Sequence, residues 1–351
     1  MSVNFDPQSL LSSFNSSLDK NFHIDLMSEQ LDHWETVRKN LSYSPSFYLS
    51  SYIIYQDIYH RDIFKNTSNI SLVIYSQNEP IGIWPLSVWK DKENNVLGSN
   101  FTWLLPPLFL SNIPNSVIKS ISATCMEVLE NLAKDLNIKY FWITDQFQES
   151  IGLSDWYSLR LLKSSEIKIY HELYSCLEEP LEVIRSNLRK SYKSLVNKAI
   201  KNLDIRFLKD SNEEIWIDFQ KLHKSVAGRT TRSEETWNIQ LKAISKGEAI
   251  FAYALDPNKK MIGGSLFYLT EAESFYAIGA YDRDLNHLSL GHALQYSAML
   301  ELKRMGVRWH RLGLYLTEGH DQISKKDSSI SYFKKGFSSH VVPNFILKYK
   351  V

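Results

Sequence analysis

Along the chain, short apolar runs of strand length alternate with longer stretches whose apolar residues recur every three to four positions. Residues 47–63 carry apolar and aromatic side chains at helical spacing. Residues 71–89 read as two apolar runs divided by Gln77-Asn78-Glu79-Pro80, the turn chemistry of a hairpin. Residues 116–136 have helical periodicity and lead through Asn137-Ile138 into the strand-like segment KYFWITD. The second half repeats this order. Residues 249–255 and 261–269 predict another hairpin, turned by Asp256-Pro257-Asn258. Residues 291–305 predict an amphipathic helix that stops at Gly306 and leads into VRWHRLGLY. The hairpins are offset by roughly 180 residues and the helix–strand units by roughly 170, which implies a duplicated unit.

The expected fold class is therefore α/β with mixed, partly antiparallel sheets, in two similar domains. A Ser/Asn-rich loose arm is expected over residues 1–20 and a first domain over 21–177. A basic helix and linker over 178–203 would separate it from a second domain over 204–351, which carries the candidate site.

Composition narrows the chemistry. The chain has 351 residues, 44% hydrophobic and 23% charged, which suits a folded two-domain protein and excludes disorder as its main state. Its 40 Lys and Arg nearly cancel its 39 Asp and Glu, so any basic function is local, and DNA is not an expected partner. The 13 glycines assemble no GxGxxG or GxxxxGK phosphate loop, and GxSxG and HExxH are absent. With only Cys125 and Cys176 there is no disulfide framework and no thiolate metal cage, so no metal site is expected. The start lacks the basic and apolar regions of a signal peptide, and Pro106 and Pro107 interrupt the longest apolar stretch, residues 101–110. The expectation is a cytoplasmic protein without an integral membrane segment.

Four segments could carry chemistry. Between Arg185 and Lys201 lie Arg189, Lys190, Lys193 and Lys198 with no acid among them, on a helix whose apolar face is Leu188, Tyr192, Leu195, Val196 and Ala199. This is either a solvated basic face or a trap for the phosphates of a nucleotide, CoA or tRNA. Residues 222–244 put His223, Arg229 and Arg232 around Gly228. Ser233 then caps a helix opened by Thr236 and Trp237, with Gln240 a turn further on. Guanidinium forks beside a helix start suit carboxylates or phosphates, although loop arginines are commonly just solvated.

In the third segment a strand over 274–281 ends in Asp282-Arg283, and a helix begins near Gly291-His292-Ala293. Unsatisfied first-turn amides there can hold a phosphate or oxyanion, and Gly291 permits close approach. His287, His292 and His310 lie nearby in sequence, each more readily structural than catalytic. No nucleophile has a defined base, so a catalytic triad is not expected. The fourth segment, SYFKKGF, spaces Phe333 and Phe337 for a core while Lys334 and Lys335 project elsewhere, and a lysine there could meet a developing oxyanion.

Taken in order, these segments resemble the FemAB-type branch of the GNAT acyltransferases, tandem-GNAT proteins related to the peptidoglycan interpeptide-bridge aminoacyltransferases. The likeness rests on LRKSYKSLVNKAIKN, HKSVAGRTTRSEETWNIQ, YAIGAYDRD with SLGHALQYSAMLELKRMGVRWHRLG, and YFKKGF. It covers about half the chain, nearly all in the C-terminal domain. The resemblance implies two tandem GNAT-like domains. It also implies that Arg189, Lys190, Lys193 and Lys334 help hold phosphate-bearing substrates. The GNAT donor signature [QR]-x-x-G-x-[GA] falls on residues 288–293, where Gly291 and Ala293 fit and Leu288 stands in place of Gln or Arg. The donor is thus an acyl-CoA or an aminoacyl-tRNA as co-substrate, with no permanently bound cofactor.

The implied reaction is N-acyl transfer to an amine on an amino sugar, nucleotide sugar or lipid-linked envelope precursor, with peripheral membrane contact open. Direct attack by an amine needs positioning, a proton acceptor and oxyanion donors. Asp282 and then His223 are the candidate bases, and Lys334 the charge stabiliser. Gly291, His292 and Ala293 would hold the donor. Arg229, Arg232, Trp237, Gln240 and Arg283 are assigned to the substrate. The alternative is a non-catalytic tRNA- or nucleotide-binding or scaffold protein with degenerate GNAT domains.

Overall fold

Both hairpins called for by the patterning are present in the computed structural model, which describes residues 7–145, 147, 153–317 and 323–351. The chain divides into two units, Met1–Ile169 with Asn344–Val351, and Tyr170–Pro343. These bounds differ from the sequence expectation of 21–177 and 204–351. Two long strands, over 164–176 and 340–350, account for it: each starts in one unit and ends in the other.

The first unit runs α1 (Pro7–Ser17), β1 (Phe22–Leu26), α2 (Leu31–Lys39), α3 (Ser50–Arg61), β2 (Lys65–Asn69), β3 (Leu72–Ser76), β4 (Glu79–Trp84), β5 (Ser87–Asp91) and β6 (Asn94–Gly98). After β7 (Leu108–Phe109) come α4 (Asn115–Asp135), β8 (Tyr140–Thr144), α5 (Asp155–Leu161) and the start of β9 (Ser164–Cys176). Strands order as β1-β3-β4-β7, with a separate β2-β5-β6 sheet. The β3–β4 turn places Gln77 at φ 50° and Asn78 at φ 76°, the paired left-handed residues that a two-residue hairpin requires. The expected loose arm is a correction: residues 7–17 are helical, because Leu10, Leu11 and Phe14 bury a stripe against the core around Trp84 and α4. Residues 1–6 lie outside the described residues.

The second unit contains α6 (Leu181–Asn187), α7 (Lys190–Asn202), β10 (Asp204–Leu208), α8 (Glu213–Ala227), α9 (Glu234–Ser245), β11 (Ala249–Leu255), β12 (Met261–Leu269) and β13 (Glu273–Tyr281). A 3-10 turn over Arg283–Leu288 leads into α10 (Leu290–Arg304), then β14 (Trp309–Leu314), α11 (Lys325–Lys335) and β15 (His340–Lys350), whose last residues return to the first unit and pair with β8. The basic helix expected over 178–203 is two helices. Leu188 and Arg189 are extended, and the Arg189 amide bonds to the Gly336 carbonyl at 2.9 Å instead of continuing the helix.

Strands in this unit order as β10-β11-β12-β13-β14-β9. The first four are antiparallel, and α10 makes the crossover to a parallel β13–β14 pair. Consecutive glycines of β12 mark the two faces. A side chain at Gly263 would meet Leu294 and Leu290 of α10, and one at Gly264 would meet Phe251 and Phe219, on the side covered by α8 and α9. The parallel pairing extends only over Glu273–Phe275 with Trp309–Arg311. Beyond it β13 stays with β12 and β14 stays with β9, so a gap opens in the sheet. Each unit repeats the order hairpin, long helix, strand, shorter helix, strand. Among the described residues, no helix is long and apolar enough to cross a membrane.

Candidate active site

The gap between β13 and β14 is where polar groups converge on the α10 face. Tyr276 and Tyr281 are five residues apart and would point to opposite faces of a regular strand. The register shift opposite Leu266 and Phe267 leaves Ala277 as an extra residue, and that bulge returns both rings to one face. Their hydroxyls meet at 3.1 Å, and Tyr281 also bonds Ser265 Oγ at 2.8 Å. Gly279 makes this possible, since a Cβ there would stand 2.2 Å from the Tyr276 hydroxyl. Gly291 lies on the other side of the Tyr281 ring, where a Cβ would sit 3.2 Å from Cε2 and 3.5 Å from Phe333. The close neighbour that Gly291 admits is thus Tyr281.

Lys334 reaches this region from the last turn of α11. Its Nζ is 5.7 Å from the centre of the Tyr276 ring and 3.2 Å from the place a Cβ of Gly313 would take. Gly313 has φ +95°, a left-handed conformation that glycine adopts without strain. Among the described residues Lys334 makes no hydrogen bond or ion pair. Burial pushes its amine down to about 8, against the opposing pull of the Glu172 carboxylate. Beside it, His310 is fully buried between Ser274 Oγ at 2.7 Å and the Gln295 amide at 2.6 Å. Burial first, and the Lys334 charge second, push the His310 imidazole down to about 3, so it is uncharged at neutral pH.

Other expected residues are placed elsewhere. Asp282 follows Tyr281 directly, and its carboxylate accepts from the Asp284 amide at 3.1 Å, capping the 3-10 turn that begins at the exposed Arg283. The amides of His292 and Ala293 bond to the Ser289 carbonyl at 3.0 and 3.1 Å, leaving those of Leu290 and Gly291 at the helix start. The His292 ring packs into an aromatic seam with Tyr192 (4.3 Å) and Phe333 (5.1 Å). Burial and then the Arg189 charge push it down to about 4. Arg189 lies 3.5 Å over the Tyr332 ring and donates to the Tyr192 hydroxyl (3.0 Å) and the Tyr332 carbonyl (2.8 Å). It fastens α7 to α11. Lys193 donates to the Ser186 carbonyl at 3.0 Å, and Lys190 is exposed.

The His223 segment forms a second centre on the opposite sheet face. An open cleft of about 600 Å³ is lined by residues of α8, α9 and their loop, including Trp216, His223, Thr231, Arg232 and Trp237. Ser233 caps α9 by accepting from the Thr236 amide, as its place in the sequence predicts. Arg232 lies 5.4 Å over Trp237 and donates to His223 Nε2 at 3.1 Å. Burial, with the Arg232 charge, pushes His223 down to about 4. Arg229 is exposed beyond Gly228, which caps α8 at φ +70°. Gln240 is fully buried, and neither atom of its amide has a hydrogen-bond partner among the described residues.

The structure therefore brings Gly291 and Lys334 together around Tyr276, Tyr281 and Ser265. It gathers His223, Arg232 and Trp237 in the cleft and sets Arg189 and His292 in the α7–α11 seam. Sequence reasoning missed Tyr276, Tyr281, Ser265 and Gly313. A glycine inside a strand-like run was the one available signal for Gly313, whereas the tyrosine pair depends on a bulge that no local pattern announces. Among the described residues, no group of three or more His, Cys, Asp or Glu is placed to hold a metal ion.

No protein-family model and no curated protein matches the chain in sequence. Solved structures do match in shape. FemX aligns with a TM-score of 0.65 at 12% identity, over 94% of this chain and 97% of that one. L-PGS from Bacillus licheniformis aligns at 0.58 and 11% identity, over 92% and 91%. A conserved protein of unknown function from Bacteroides thetaiotaomicron aligns at 0.54 and 8%, over 91% and 97%. Similarity along nearly the whole length, at identities this low, speaks to the fold: the chain has the FemAB-like fold of two tandem GNAT domains.

Proposed function

We propose that the protein is an acyltransferase that moves an acyl or aminoacyl group from an activated carbonyl to an amine. The observation that carries this reading is Lys334, a largely desolvated cation that makes no hydrogen bond or ion pair among the described residues, beside a gap between splayed parallel strands. A half-buried, largely desolvated ammonium with no bonded partner is unfavourable unless something negative arrives. The tetrahedral oxyanion of acyl transfer is such a group, and it forms where dielectric screening is weak.

The chemistry then follows from the two faces of the sheet. The donor carbonyl enters on the α10 face, with the helix start at Gly291 near its carrier. The acceptor approaches from the α8–α9 face, where Arg232 meets an acidic part of it and Trp237 an apolar part. The amine nitrogen attacks through the gap, forming a C–N bond as the C–S or C–O bond to the carrier breaks. The nitrogen's proton passes to a base and finally to the leaving group. His223 can take that step once Arg232 turns from its Nε2 to the acceptor, as can Asp282 once released from its cap. No covalent enzyme intermediate is needed.

The carrier is CoA or tRNA, and the acceptor an amino sugar, nucleotide sugar or lipid-linked envelope precursor handled in the cytoplasm. The test is incubation with acetyl-CoA or aminoacyl-tRNA and amino-sugar nucleotides, read by mass spectrometry. A mass-shifted amine supports the reading. RNA binding that weakens steeply with salt, with no transfer from either donor, would replace it by a non-catalytic binding module.

A further inference from the structure

Tyr332 belongs to no part of the chemistry so far, yet its ring is held out to solvent in a fixed pose. It is 63% exposed, the one exposed aromatic side chain among the described residues of the second unit. The Arg189 guanidinium lies 3.5 Å from the centre of the ring, so a cation backs one face while the other is open. That backing is anchored. The Arg189 amide bonds to the Gly336 carbonyl, and its side chain donates to the Tyr192 hydroxyl and the Tyr332 carbonyl. Both side-chain acceptors are neutral, so the guanidinium keeps its charge. Lys190 beside it is exposed, and no acid stands between Arg185 and Lys201. The stack is also tied to the start of α10. Tyr192 lies 4.8 Å from the Arg189 guanidinium carbon and 4.3 Å from the ring of His292, the residue after Gly291.

We propose that the open face of Tyr332 is a stacking platform for the adenine of the donor's carrier, backed by Arg189, with Lys190 meeting an adjacent phosphate. The proposal rests on the transfer reading, in which the carrier is CoA or tRNA and lies near the start of α10. Both carriers present adenosine next to phosphate, CoA in its nucleotide and tRNA in its terminal residue. A planar base gains by covering the open ring, and such stacking needs no particular pattern of donors and acceptors on the base edge. The guanidinium behind the ring holds it flat to the incoming base. Unopposed cations alongside then suit the phosphate. An apolar peptide or lipid chain would cover the ring but gain nothing from those charges.

The test is binding, by calorimetry, of four probes: CoA, 4′-phosphopantetheine, uncharged tRNA ending in CCA, and the same tRNA shortened to CC. In each pair the second probe lacks the adenosine. Tyr332→Ala should weaken the full-length carrier by about tenfold and leave its shortened counterpart unchanged. The carrier that responds is the one the platform serves. Tyr332→Phe keeps the ring and should bind as the wild type does, whereas a lost hydroxyl contact would show in both variants. Equal affinity of wild type and Tyr332→Ala for both full-length carriers overturns the proposal. So does an equal loss for a full-length probe and its shortened form, or a wild-type protein that binds neither carrier. Tyr332-dependent binding in a protein that transfers from neither donor keeps the platform and rejects the transfer reading. Transfer at sub-saturating donor that is indifferent to Tyr332→Ala keeps the transfer reading and rejects the platform.

Discussion

The two units repeat one plan, but they treat the cation at the end of their shorter helix differently. In the first unit Arg160, in the last turn of α5, donates to the Ser122 carbonyl at 3.0 Å and lies 4.6 Å over Trp156. Just beyond, Lys163 bonds Glu130 at 3.1 Å, and Glu130 also accepts from the Tyr349 hydroxyl. These cations are absorbed by the fold. In the second unit Lys334 has no such partner among the described residues and faces a gap floored by glycine. A duplicated frame has kept its cation as a fastening in one copy and left it open in the other. That contrast is why the proposed chemistry is assigned to the second unit.

Exchanging the two cations for apolar residues gives the largest expected divergence. Lys334→Ala should lower the transfer rate by about 10²–10³, and Lys334→Met should leave the melting temperature unchanged or raised, because a desolvated charge is lost. Arg160→Ala should do the reverse, lowering the melting temperature by removing the hydrogen bond to the Ser122 carbonyl and the packing over Trp156 while the transfer rate of the folded fraction stays near normal. Equal rate losses in the two variants would abolish the distinction.

Legibility in the sequence followed the same division between local and distant causes. The β11–β12 hairpin and α10 begin and end within a residue or so of the patterning, because their signals are local: period, turn residues and Gly306. Lys334 was visible in YFKKGF, since the spacing of Phe333 and Phe337 turned the lysine away from them. What made it special was not visible. Tyr276 and Tyr281 share a face because of one bulged residue. The helix at residues 7–17 was missed because its polar side holds most of the serines and asparagine, and propensity does not see the buried Leu10, Leu11 and Phe14.

A smaller effect tests the seam that carries α11. Gly336 has an ordinary φ of −67°, but a Cβ there would stand 2.0 Å from Cε2 of Tyr192. Gly336→Ala should therefore destabilise the protein by about 1–3 kcal/mol through overpacking. It should also disturb Arg189, whose amide bonds to the Gly336 carbonyl. Denaturant melts measure the first effect, and an unchanged midpoint would remove the seam from the account.

Arg232→Ala should raise KM for an acidic acceptor about tenfold while leaving kcat nearly unchanged, the pattern of a lost charge-assisted contact made equally in ground and transition states. A fall in kcat alone would put Arg232 at the reacting atoms.

A further set of effects is in pH. Lys334 has a folded value near 8, below its ordinary 10.5, so the unfolded chain binds more protons in that interval and stability rises with pH from about 8 to 10.5. Lys334→Met should lose that slope. Transfer should run the other way, falling as pH rises past about 8 and the ammonium is lost. His223, His292 and His310 are likewise depressed, to about 4, 4 and 3, so their contribution to stability is lost as pH falls below about 6.5. Chemical denaturation across the pH range reads both slopes.

The most direct measurement is single-turnover transfer from a preloaded donor to an amine, followed by mass spectrometry for wild-type and Lys334→Met proteins side by side. The expected result is product from the wild type and at least 100-fold slower formation by the variant, with donor binding retained. Equal rates in the two proteins would contradict the role given to the unpaired ammonium.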